Sequence, residues 1–146
     1  QKNEDENENI IIENIKQKLA YKGIQCASLY SKSDKVERKQ AIDRFRSGKE
    51  RFLITSDLSS RGLDILNISH VIQMDLPLDE DFFIHRSGRT GRAGKSGINI
   101  VIGDEFEMRR FSVLEKKLGI TVYPKEIYGG RVRDCGFIED GEEKWK

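Results

Sequence analysis

Two short stretches of this 146-residue sequence concentrate the residue types that handle phosphate. The first, SDLSSRGLDI at residues 56–65, packs hydroxyls, an acid, an Arg-Gly pair and a second acid into nine positions from Ser56 to Asp64. One reading is a capped turn, with Asp57 or Ser56 as the cap and Gly62 relieving a tight bend. In the other, backbone N–H groups and hydroxyls near a helix start meet a phosphate, and Gly62 permits close approach. Asp64 is then free to accept from a ribose hydroxyl.

The second stretch, HRSGRTGRAGKSG at residues 85–97, spaces Arg86, Arg89 and Arg92 three apart, with Gly88, Gly91, Gly94 and Gly97 in the same register. On a helix the arginines would share a face and repel, at a few tenths of a kcal/mol, roughly, for each adjacent pair. A solvated basic turn is the bland alternative. Against it, glycines this dense are costly in entropy unless special backbone geometry or close approach requires them. Convergent guanidinium groups match phosphate oxygens in forked geometry, and one aimed at a transferring γ-phosphoryl group is worth ~10³–10⁵ in rate. Gly94, Lys95 and Ser96 spell the end of a P-loop, but Arg89 stands where that motif needs glycine. The chain therefore has no Walker A of its own and no acidic metal-binding box. It can contribute arginines to a nucleotide without holding one competently alone.

These stretches need elements to position them. Residues 1–9, QKNEDENEN, are polar without an apolar period and read as a disordered end or inserted loop. Ile12, Ile15 and Leu19 recur at helical spacing before Gly23. Ile24 to Tyr30 reads as a strand. Asp34 is placed to cap a helix with Val36, Ala41, Ile42 and Phe45 inward and Gly48 as its stop. Phe52 to Thr55, Val71 to Met74 and Ile98 to Ile102 read as buried strands. An Asp79-led helix precedes the glycine-rich stretch, and a last helix from about Asp104 turns Met108, Phe111, Leu114 and Leu118 to one side before Gly119. Strands alternating with helices imply an α/β fold with a mostly parallel sheet and helices on both faces. Ligands of such sheets bind beyond the carboxyl ends of the strands, where both stretches are expected to lie. From Pro124 to Lys146 no period is strong, and the expectation is a C-terminal extension with one strand or a short helix.

Composition limits the function classes. Hydrophobic residues are 36% and charged residues 35%, so the chain is polar yet able to form one core. No apolar run approaches a membrane span, and the first residues do not read as a secretory signal. Cys26 and Cys135 match no metal-ligand spacing, no metal site is expected, and two thiols suggest a reducing cytoplasm. The net charge of +1 averages unequal blocks: residues 15–51 carry eleven cations and four anions, residues 52–84 one and six, residues 85–97 four and none. Two cationic segments flanking an acidic one can form a local phosphate-binding surface on a neutral chain.

Ser56 to Asp64 resembles motif V of the superfamily 2 helicases, and HRSGRTGR at 85–92 resembles motif VI of the DEAD-box ATP-dependent RNA helicases. Lys35-Val36-Glu37-Arg38, with the apolar spacing to Phe45 and Gly48, is similar to the Gln-x-x-Arg motif of the same family. The resemblance spans about residues 10–120. It implies a C-terminal RecA-like domain over residues 10–123, the second of two motor domains, followed by an extension at 124–146. By that similarity Arg89 and Arg92 are arginine fingers on the γ-phosphate of ATP, which the N-terminal RecA-like domain of the same protein holds with Mg²⁺. Asp64 contacts the ribose; Arg38, Lys35, Ser56 and Gly62 contact RNA phosphates, with Asp57 ordering the loop. His85 and Arg86 bridge to the first domain.

Several positions depart from the pattern. Lys35 replaces glutamine, which keeps phosphate attraction and loses the amide's two-way hydrogen bonding. Tyr30-Ser31 stands where members usually have His-Gly, and Ser56 where they have threonine. Motif IV and its strand are absent, so an exposed sheet edge and marginal stability of the isolated domain are expected. The implied function is ATP-driven RNA duplex opening by a cytoplasmic monomer that contacts RNA through phosphate and sugar. The alternatives are a non-enzymatic nucleic-acid-binding module of helicase fold, a DNA-directed superfamily 2 helicase, and a plain α/β scaffold. His85, where related helicases acting on other substrates commonly have glutamine, argues against the DNA-directed alternative.

Overall fold

The computed structural model describes residues 2–60, 65, 68–77, 79–91 and 94–135, with Lys2, Leu58 and Ser59 described by their backbone. The chain divides into two compact units, Gln1–Ile65 and Leu66–Lys146.

The first unit runs α1 (Lys2–Tyr21), β1 (Cys26–Ser28), α2 (Lys35–Arg46), β2 (Phe52–Ile54) and α3 (Asp57–Ser60). Residues 2–9 are helical, not the disordered end or loop expected of a polar tract. Glu4 and Asp5 in the first turn and Lys18 in the last complement the helix dipole, and Ile12, 4% exposed, anchors the helix from within. Once nucleated on an anchored segment, a helix propagates into polar residues at little cost. Asp34 caps α2 as the sequence predicts: its carboxylate accepts from the amides of Val36 and Glu37, and Glu37 returns a bond to the Asp34 amide. The expected inward set is corrected at Val36, which is 63% exposed, while Ala41, Ile42 and Phe45 are half-buried. A strand pair three residues long offers about 10 Å of sheet to a helix of about 18 Å, so the end turns overhang. β1 and β2 are parallel with Cys26 opposite Phe52, and Leu29, Cys26 and Ala27 form the core with Ile12.

The second unit runs β3 (His70–Gln73), α4 (Glu80–Ser87), β4 (Ile98–Val101), α5 (Glu105–Leu118), β5 (Lys125–Tyr128) and β6 (Arg131–Asp134). β3 and β4 are parallel with His70 opposite Ile98, so each unit holds a β-α-β crossover, as the α/β reading requires. Asp79 caps α4, and Asp104 with Glu107 forms a capping box on α5, which stops at Gly119 in the left-handed region. Met108 and Phe111 are buried, Leu114 and Leu118 half-buried, and the Phe83 and Phe111 rings lie 5.6 Å apart, joining α4 to α5. The expectation of fully buried strands does not hold: Phe52 is 42%, Ile72 45% and Ile98 52% exposed. Among the described residues each parallel sheet has two strands, and burial on both faces needs more cover than that.

Residues 125–134 form an antiparallel hairpin, two strands where one strand or a short helix was expected. Gly129 and Gly130 both have positive φ, which suits a two-residue turn between twisted strands.

Candidate functional site

The candidate residues occupy two places, one in each unit. In the first unit, parallel pairing brings the carboxyl ends of β1 and β2 to one sheet edge, with the Leu29 amide donating to the Ile54 carbonyl at 2.9 Å. The turn after β1 leads into α2, placing Lys35 and Arg38 in that helix's first turn. Ser56 and Asp57 follow β2 after Thr55, and Asp57 opens α3. The Ser56 carbonyl accepts from the Ser60 amide and the Asp57 carbonyl from the Ser60 hydroxyl, so this turn is built as a short helix start. Lys35 is exposed; Arg38 and Ser56 are half-buried. The arrangement offers cations and a hydroxyl at the edge where an α/β sheet binds ligands. Gly62 and Asp64 lie outside the described residues.

In the second unit, His85 and Arg86 belong to the last turn of α4, and Gly88 is its C-cap. The expectation that residues 85–97 lie beyond the carboxyl end of a strand is corrected, because the segment leads into β4. The Ile68 amide, ahead of β3, donates to the Arg89 carbonyl at 3.2 Å, and the Thr90 hydroxyl donates to the Ile68 carbonyl. The glycine density has a cause at three of its four positions. Gly91 (φ 65°) and Gly94 (φ 77°) are left-handed, and a Cβ on Gly97 would meet Thr90 Oγ1 at 2.0 Å and the Gly91 nitrogen at 2.7 Å.

The arginines in this segment have different surroundings. Arg86 has a side chain 13% exposed; its Nη1 donates to Gln73 Oε1 at 3.3 Å and to the Asp75 carbonyl at 3.2 Å, and pairs with the Asp75 carboxylate at 3.1 Å. Gln73, itself 4% exposed, passes a bond to Asn99 across the two strands, and Asn99 donates to Ser87 on α4. Arg86 thus belongs to a partly buried polar network that ties α4 to β3 and β4. Arg89 Nη2 sits 2.9 Å from His85 Nε2, and His85 is exposed. Arg92 lies outside the described residues. Asp75, Gln73 and Ile68 carry no sequence signal of this role, since their partners are 13 or more positions away for Gln73 and 22 for the Ile68–Thr90 pair. Among the described residues no group of three or more His, Cys, Asp or Glu could hold a metal ion, and no helix is long and apolar enough to cross a membrane.

Both units are parallel β-α-β pairs whose loops carry cations and hydroxyls, the arrangement of an α/β fold. The helicase conserved C-terminal domain family matches residues 3–94. The chain belongs to that family, as the C-terminal RecA-like domain of the DEAD-box type. It is 38% identical over 119 residues to the DEAD-box ATP-dependent RNA helicase CshC of Bacillus cereus, covering 82% of this chain and 31% of that protein. Among solved structures, E. coli DEAD-box protein SrmB bound to regulator of ribonuclease activity A aligns with a TM-score of 0.68 and 29% identity, over 73% of this chain and 62% of that one. A variant of S. cerevisiae Dbp5 bound to RNA and ADP BeF3 aligns with a TM-score of 0.68 and 33% identity, over 77% of this chain and 30% of that one. The chain spans 31% of the length of CshC.

Proposed function

We propose that this domain is the second motor domain of an ATP-dependent RNA helicase, binding RNA backbone and supplying arginine fingers for the ATP hydrolysis that drives duplex opening. The observation that carries this reading is the setting of Arg89. Its backbone is pinned to Ile68 and its guanidinium lies on His85, at the head of a segment whose glycines serve backbone geometry. A guanidinium oriented before its ligand arrives stabilises developing phosphoryl charge without reorganising. Arg92 joins it, and Asp64 takes the ribose, on the strength of the motif resemblance. Lys35, Arg38, Ser56 and Gly62 contact phosphates at the other candidate edge, with Asp57 shaping the turn, so that base sequence is read weakly. Of the pair assigned to the interdomain contact, the exposed His85 reaches toward the N-terminal RecA-like domain while Arg86 holds α4 on its own sheet.

We assign the Mg²⁺ ion that accompanies ATP, together with the nucleotide, to the N-terminal domain. The free thiols Cys26 and Cys135 suit a reducing cytoplasm, and we read the protein as a monomer.

The test is ATP hydrolysis by the protein carrying both motor domains, with single-stranded RNA, single-stranded DNA or neither, for wild type, Arg89→Ala and Arg92→Ala. Turnover stimulated by RNA is expected to fall by roughly 10³ in either variant while ATP affinity changes far less. Equal stimulation by DNA would reassign the domain to a DNA-directed motor. Turnover indifferent to nucleic acid and to both arginines would leave a binding module.

A further inference from the structure

The turn between β1 and α2 is fastened from outside by α1. Tyr30 Oη donates to Glu13 Oε2 at 2.5 Å. The Ser31 amide donates to Asn9 Oδ1 at 3.2 Å, and its hydroxyl lies 3.5 Å from the same atom. Asn9 and Glu13 are four residues apart and so project from one face of α1. All four residues are half-buried. From Tyr30 the bonding continues inward: its amide donates to Ser33 Oγ at 3.3 Å and its carbonyl accepts from the Ser33 amide at 3.2 Å. Asp34 then caps α2, and its carbonyl accepts from the Arg38 amide at 3.0 Å.

We propose that Glu13 and Asn9 are positioning residues that, through Tyr30 and Ser31, fix the β1–α2 turn and thereby the RNA-facing first turn of α2. Two independent bonds from α1 reach the same dipeptide, which stands between two fixed points of the chain. Upstream, Leu29 is fully buried and bonded to β2; downstream, the cap is set by Asp34. Between them Tyr30 to Ser33 have their own turn bonds and these two ties to α1. Each backbone residue left unfixed there would regain conformational entropy, which would be lost again when Arg38 closed on a phosphate. The dipeptide also differs from the usual His-Gly, since glycine has no hydroxyl to offer Asn9. The Ser31 hydroxyl adds to an amide bond that any residue at this position can make, and together they give the polar start of α1 a task. The Glu13 carboxyl lies below its ordinary range, chiefly because the Tyr30 hydroxyl donates to it and then through Gln17 and Lys16, in keeping with a bond that favours the ionised form.

The inference rests on the reading of α2 as an RNA contact, and the experiment separates the two. RNA-concentration dependence of ATP hydrolysis is measured in the protein carrying both motor domains, for Tyr30→Phe, Glu13→Ala, Glu13→Gln and Arg38→Ala, with melting temperatures alongside. Tyr30→Phe and Glu13→Ala are expected to raise the RNA concentration for half-maximal stimulation about fivefold, the equivalent of one lost hydrogen bond. Turnover at saturating RNA and KM for ATP stay unchanged, Glu13→Gln loses less because it keeps an acceptor, and the Glu13→Ala/Tyr30→Phe pair is no worse than either alone. Should Arg38→Ala weaken RNA dependence while the other variants leave it alone, the positioning role is overturned and the RNA reading stands. The positioning role is overturned in the same way if the variants depress turnover and melting temperature together without a separate shift in RNA dependence. An Arg38→Ala variant with unaltered RNA dependence would overturn both.

Discussion

The first turn of α2 and the last turn of α4 both carry cations from a family motif, and the fold treats them oppositely. At α2, Lys35 is exposed on a helix whose cap is complete without it: Asp34 and Glu37 satisfy the end amides. At α4, Arg86 is drawn onto Gln73 and Asp75, and its side chain is 13% exposed. A solvated cation attracts a polyanion at range, whereas a cation buried among acceptors holds structure. The motif pattern treats such cations alike because spacing records which residue is present and says nothing of its partner. Arg89, three residues beyond Arg86, falls between the two cases, oriented by His85 and half-exposed.

Substitutions that remove one role and spare the other sharpen this contrast. The largest effect is expected at Arg89: Arg89→Ala should lower RNA-stimulated turnover by roughly 10³ with little change in urea unfolding, and equal losses in both would erase the distinction from Arg86. Gly97→Ala comes next. A methyl forced onto Thr90 and the Gly91 nitrogen should cost about 2 kcal/mol of stability by chemical denaturation, and a neutral result would mean that the segment yields readily.

Arg86→Met should destabilise by about 1–2 kcal/mol, since Gln73 is left buried with one bond fewer while the exposed Asp75 rehydrates. Here turnover per folded molecule should fall far less than in Arg89→Ala; a loss of about 10³ would make Arg86 a direct participant as well. The smallest effect concerns the Tyr30–Glu13 bond. Glu13 has a lowered carboxyl pKa, so its contribution is present above the ordinary carboxylate range and disappears as pH falls through the lowered value. Tyr30→Phe should therefore cost about 1 kcal/mol at neutral pH, and the gap to wild type should shrink as pH falls below the ordinary carboxylate range. Burial first, and Glu13 second, push the Tyr30 phenol up, so that group's own contribution holds below the ordinary phenol range and is lost as pH rises through the raised value. A gap independent of pH on the acid side would show that the hydroxyl does not favour the ionised carboxyl.

Much of the fold was legible because its signals are local. Asp34, Asp79 and Asp104 cap the helices they were expected to cap, and Gly119 ends α5, since each needs only amides or dihedrals within a few residues. The β-α-β alternation followed from the same short-range pattern. The Gly-Gly turn of the hairpin was also visible in principle, but strands bearing Lys125, Glu126, Arg131 and Arg133 show no apolar alternation to announce them.

Long-range packing sets the company each residue keeps. That α1 starts at Lys2 depends on an anchor at Ile12, and Asn9 finds Ser31 22 positions along the chain. That Arg86 is a tie and Lys35 is exposed depends on a β3 acceptor pair and an already satisfied helix cap. Composition and spacing determine charge, turn and helix end through contacts a few residues long. Burial and hydrogen-bond partnership are set by segments far apart in sequence, and their free energies exist only once those segments have packed.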